Sequence, residues 1–166
     1  TVNTAQGTGG DLTHQDTVTV TITAINDAPT LAGGEGPVAL TAIDDDDTTD
    51  LLNPGDLVSD ILAPLTLNAV DGVAEPEGIA IYATTGTNGS WEYNIGAGWI
   101  AIEPVDVGTV NGALLLRSTD SVRFMPNGLN APAANPTISF YAWDQSDASA
   151  PAAKVDVQTR GTSTAF

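Results

Sequence analysis

Oxygen ligands are the first chemistry this chain offers. Ile43 is followed by Asp44, Asp45, Asp46 and Asp47, with Asp50 just beyond. Adjacent carboxylates repel one another, and a turn that makes them converge suits a hard cation. Ca2+ takes about 6–8 oxygens in flexible geometry. The run lacks the glycine and closing glutamate of an EF-hand loop, so a solvated acidic loop is the competing reading. Asn26-Asp27, followed by Ala28-Pro29, forms a second oxygen-rich point. Asp71, Glu75 and Glu77, in the stretch NAVDGVAEPEG, form a third.

Other side chains offer less. Trp91, Trp99, Trp143 and Tyr93 have the types a sugar-stacking platform uses. Trp91 and Tyr93, however, share one face of an alternating stretch, which is the pattern of core packing. Arg123, between Val122 and Phe124, reads as an ion-pair partner for one of the many acids, and Asp144 as a loop anchor. His14 is the single histidine and has no cysteine to work with. There is no nucleophile elbow, no evident His–carboxylate pair and no phosphate-cradling glycine loop. Paired acids can serve a glycosidase, but among 21 acidic residues pairs arise without function. The residues therefore point away from an enzyme.

The elements that must position these groups are strands. Val18, Val20, Ile22 and Ala24 alternate with Thr17, Thr19, Thr21 and Thr23. This is the period of a half-buried strand rich in β-branched residues. The strand runs into Asn26-Asp27-Ala28-Pro29, where proline removes a ladder donor and ends the pairing. A glycine-rich joint follows at Leu31–Gly36. Val38, Leu40 and Ala42 predict the first strand of a new module, and Asn53-Pro54-Gly55-Asp56 predicts a turn. Leu57, Val58, Ile61 and Leu62 have the spacing of a short helix. From Ile79 onward, alternating stretches at Ile79–Ala83, Trp91–Ile95, Trp99–Ile102, Val122–Met125, Ile138–Trp143 and Val155–Thr159 predict strand after strand. Ala113–Leu116 is apolar throughout, as in a strand buried on both faces. Short strands at frequent turn signals predict an all-β antiparallel sandwich.

Composition narrows the partners. The 166 residues carry 21 acidic against 4 basic side chains, a formal charge of −17. Phosphate recognition needs clustered Lys and Arg, so nucleic acid is excluded as a natural partner, and anionic membrane surfaces are disfavoured. Such self-repulsion is relieved by bound divalent cations or by high salt. Apolar residues reach 42%, enough for a core. No apolar run approaches the roughly 20 residues of a membrane helix, and the absence of cysteine excludes disulfides and thiolate metal sites. A start at Thr1, with no signal peptide, reads as a segment excised from something longer.

The order of the motifs resembles a known group. TVTVTITAINDAPTL is similar to the closing strand and linker of cadherin-like or VCBS-type tandem modules in giant bacterial RTX-type surface adhesins. Gly78-Ile79-Ala80-Ile81, Gly89-Ser90-Trp91-Glu92-Tyr93, Trp99, Ala113–Leu116, Arg123-Phe124-Met125-Pro126-Asn127 and Phe140–Gln145 resemble a recurring module of the same proteins. The resemblance implies an Ig/cadherin-like sandwich serving as an extracellular spacer, at the cell surface or secreted, stiffened by Ca2+ at linkers and loops. With it, Asn26, Asp27 and Asp44–Asp47 become the first Ca2+ candidates, expected to meet at one end of the sandwich. Asp71, Glu75 and Glu77 become the second cluster.

The resemblance also implies that the closing strand stands at the chain start. Residues 1–29 would then complete a neighbouring module, and residues 30–166 would form the sandwich module. The partners would be neighbouring copies of the same module, joined head-to-tail in an open assembly by strand complementation. A carbohydrate-binding module, with a glycan as partner for the tryptophans, is the alternative.

Overall fold

The computed structural model describes residues 17–23, 25–32, 37–68, 77–103, 112–132, 134–161 and 164–166. The described elements are β1 (Thr30–Ala32), β2 (Asp56–Leu57), α1 (Val58–Leu62), β3 (Thr66–Asn68), β4 (Gly78–Thr85), β5 (Gly89–Asn94), β6 (Ile100–Ala101), β7 (Ala113–Arg117), β8 (Ser121–Pro126), β9 (Thr137–Trp143) and β10 (Lys154–Val155). They make an all-β sandwich. One antiparallel sheet has the order β10-β7-β4-β9, the other β2-β8-β5-β6, and β1 pairs with β3 in a small ribbon.

Alternation decides which side chains meet between the sheets. Ile79 and Ile81 of β4 and Leu114 and Leu116 of β7 face Trp91 of β5 and Val122 and Phe124 of β8. The helical spacing at Val58, Ile61 and Leu62 puts all three into this core, where they close one side of it. Trp91 and Phe124 meet edge to face at 5.5 Å between ring centroids, an arrangement aromatic quadrupoles favour.

The first sheet has a second apolar face. Ala80, Ala113, Leu115 and Trp143 pack against Val157 and Ala165 of the C-terminal segment, with Phe166 beside them. The backbones interlock: Leu115 N–H donates to the Ala153 carbonyl at 3.0 Å, and Ala152 N–H to the Leu115 carbonyl at 2.8 Å. Covering on both faces is why β7 reads as an unbroken apolar run.

Two predicted strands do not form ladders. Thr17–Thr23 and Ile25 lie outside any sheet, with Val18 85%, Val20 76% and Ile22 89% exposed. Residues 37–44 also lack a strand. Val38 and Leu40 still turn inward onto the core, but Thr41 N–H donates to the Asp56 carboxylate at 3.2 Å rather than to a neighbouring strand. The joint expected at Leu31–Gly36 begins differently as well, because Thr30–Ala32 pairs with Thr66–Asn68.

Candidate functional site

The joint at Asn26 is docked on its own sandwich. Asn26 Nδ2 donates to Asp144 Oδ2 and to the Thr164 carbonyl, each at 3.1 Å. Ala28 and Pro29 are buried. Asp144 follows Trp143, the last residue of β9, and its Oδ1 accepts the Ser146 N–H at 2.8 Å, so it ties down a loop as expected. The joint, the end of β9 and the C-terminal residues Thr164–Phe166 thus share one end of the sandwich. An open cleft of about 270 Å3 lies there between Pro29, Leu31, Tyr141, Ala142, Arg160 and Phe166.

The acidic turn stands at the other end. Asp44 N–H donates to Asp47 Oδ2 at 2.9 Å, and Asp47 N–H to the Asp44 carbonyl at 3.1 Å. Asp47 therefore closes a tight turn on its own backbone, while Asp44, Asp45 and Asp46 point to solvent. Thr48 lies 3.4 Å from where a Cβ of Gly128 would be, next to the Pro126 end of β8. That end pairs with Gly89, just after Thr85, which faces Thr137 at the start of β9. Asn26 sits where β9 finishes. One copy of the chain therefore does not bring Asn26 and Asp27 to Asp44–Asp47, contrary to the sequence expectation. Linear order along the chain hid this, because β9 spans the length of the sandwich between them.

Among the described residues, no group of three or more His, Cys, Asp or Glu side chains is placed to hold a metal ion. Glu77 uses its carbonyl instead, accepting Ser118 N–H at 2.8 Å and Gln145 Nε2 at 2.9 Å. Asp71, Glu75 and His14 lie outside the described residues.

The carboxylates that do find cations are structural. Arg123 is buried on the outer face of its sheet. Nε donates to Glu92 Oε2 at 2.8 Å, Nη1 to the Asn53 carbonyl at 2.7 Å, and Nη2 to Asp50 Oδ1 at 2.8 Å. Asn53 in turn donates to the Phe124 carbonyl at 2.8 Å. One guanidinium thus fastens the loop before β2 to β8 and β5. In the β7–β8 turn, Arg117 donates through Nε and Nη2 to the buried Asp120 at 3.3 and 2.8 Å. The Asp120 hydrogen bond and its charge raise the Arg117 pKa above its ordinary value. Arg123 was legible as a charge inside an alternating strand. Asp120 and Asn53 carried no signal beyond a place in a turn.

The tryptophans do not form a platform. Trp91 and Trp143 are buried, and their indole N–H groups donate to the Thr85 carbonyl at 2.8 Å and Asp147 Oδ1 at 3.0 Å. Trp99 is half-buried and packs against Arg123. Burial raises the Asp147 pKa, but hydrogen bonds from Ser149 and Trp143 outweigh it and hold the carboxyl below the usual range.

No family model, curated protein or solved structure matches the chain.

Proposed function

We propose that this chain is a structural spacer module of an extracellular bacterial adhesin or fibre, Ca2+-stiffened and joined head-to-tail to further copies of itself by strand complementation. The observation that carries the reading is the contrast across Asn26. On its C-terminal side the joint is held to Asp144 and Thr164. On its N-terminal side Val18, Val20 and Ile22 expose their apolar face to solvent. Burying three such side chains is worth roughly 1.5–3 kcal/mol each, and this sandwich leaves that stabilisation unused. A strand built to be half-buried, projecting beyond an anchored joint, suits a neighbouring copy.

The same arrangement supports a junction between copies as the place for Ca2+. The donors of one copy stand at opposite ends, Asn26 and Asp27 at one and Asp44–Asp47 at the other. In a head-to-tail array, the joint of the next copy comes to the acidic turn of this one. Cation binding there neutralises carboxylates contributed by two copies and rigidifies the junction. The work is mechanical, and no substrate is turned over.

Thermal melts in Ca2+ and in excess chelator, at fixed ionic strength and at several protein concentrations, test this. A cation bound at a hundredfold excess over its Kd adds about 2.7 kcal/mol. For a domain of this size that is roughly 5–10 °C. The rise should grow with protein concentration. A melting temperature indifferent to Ca2+ at every concentration would leave the acidic turn merely solvated and remove the calcium part of the reading.

A further inference from the structure

Resting on the strand-complementation reading, we infer that the acceptor for Thr17–Ile25 is the free edge of β9 in another copy, entered antiparallel. Four edges bound the two sheets. β10, β2 and β6 are each two residues long, and short edges are one way proteins avoid unwanted pairing. β9 is seven residues long, Thr137 to Trp143, pairs with β4 on one side, and among the described residues has no ladder on the other. Its sequence, TISFYAW, contains no lysine, proline or charge to protect it.

The core beneath this edge is incompletely covered. Ile138 and Phe140 face inward against the main cluster yet remain only partly buried, whereas Ile79, Ile81, Leu114 and Leu116 are fully enclosed. At the other end of β9 the cleft lined by Pro29, Leu31 and Phe166 opens beside Tyr141 and Ala142. Among the described residues the edge thus has no ladder partner on that side, an unfinished apolar face at Ile138 and Phe140, and a cleft at its Trp143 end. Thr17–Ile25 has the matching period and the matching apolar face. One antiparallel register puts Val18 opposite Ala142, Val20 opposite Phe140 and Ile22 opposite Ile138, with Thr21 opposite Ser139 on the outer face. The strand cannot do this for its own copy in the same sense. Asn26 is pinned at the Trp143 end, so folding back would run it parallel to β9.

The chain has no cysteine, so engineered thiols report the pairing directly. Full-length Thr21→Cys and Ser139→Cys proteins are mixed in a thiol–disulfide buffer and resolved without reduction, with Ser90→Cys on the other sheet as the control acceptor. Docking brings the thiols to a millimolar effective concentration in a micromolar solution, which gives on the order of a hundredfold more cross-linked pair than the control. Thr23→Cys with Thr137→Cys repeats the test one pair further along, should Ser139→Cys fold poorly. Sedimentation of the unmodified chain separates the failures. Oligomers without enrichment at β9 overturn this edge as the acceptor and leave strand exchange standing. Compact monomer at every concentration overturns strand exchange itself. A protein carrying both cysteines that closes an internal disulfide instead of linking to a second chain overturns the inter-copy pairing.

Discussion

The guanidinium carbon of Arg123 stands 3.9 Å from the centre of the Trp99 ring. The cation is covered on one face by the indole and satisfied at its rim by Glu92, Asp50 and the Asn53 carbonyl. Removing one partner of a buried pair strands the other, at about 3–5 kcal/mol. Arg123→Ala should lose that much in urea denaturation, whereas Asp50→Ala, whose side chain is 76% exposed, should lose under about 1 kcal/mol. Equal losses would mean that Asp50, not the Glu92–Trp99–Asn53 enclosure, holds Arg123.

Gly55 is tied to the same node. Its φ is +77°, and an added Cβ would fall 2.5 Å from Trp99 Cη2 and 3.0 Å from the Val122 carbonyl. Gly55→Ala meets both a left-handed backbone, costing about 1–2 kcal/mol, and a clash with the ring. Trp99→Ala removes the clash but not the backbone strain. In a double-mutant cycle the two substitutions should therefore be less than additive, by roughly 0.5–3 kcal/mol. Strict additivity would show that Trp99 does not sit against Gly55.

How far the fold could be read in advance differs by segment, for physical reasons. β4, β5, β7, β8 and β9 were legible because alternation reports which face is buried. Alternation does not report a partner, and that is why it predicts ladder strands at Thr17–Ile25 and Val38–Ala42, although Thr17–Thr23, Ile25 and Val38–Ala42 form none. Val38 and Leu40 bury their side chains without pairing their backbone. The three-residue pairing of β1 with β3 is too short to leave a period. The separation of Asn26 from Asp44–Asp47 depends on strand direction, which composition and spacing do not carry.

Asp147 predicts a pH response confined to one loop. Its carboxylate accepts the Trp143 indole N–H at 3.0 Å and the Ser149 hydroxyl at 2.6 Å, and its pKa is held below the usual value. A depressed carboxyl contributes stability that is fully present above its unfolded pKa, about 3.9. The contribution is lost as pH falls through the lower, folded value. Wild type should therefore melt above Asp147→Asn at neutral pH, with the gap closing under acid below that unfolded value. Melting curves that stay equally separated down to strong acid would assign the difference to packing rather than charge.

Asn26 supplies the sharpest test of the docked joint. Its amide is a donor toward Asp144 and the Thr164 carbonyl, and the two hydrogen bonds restrain the segment rather than the sandwich. Asn26→Ala should leave global denaturation nearly unchanged and lower the free energy of local opening by about 1–2 kcal/mol. When opening is fast relative to cleavage, that becomes roughly 5–30-fold faster elastase cutting near the joint. Asn26→Asp replaces the donor with a second carboxylate against Asp144 and should open the joint further in chelator. Wild type and both variants cut at one rate would show that these hydrogen bonds do not hold the joint, and the contrast across Asn26 would lose its physical basis.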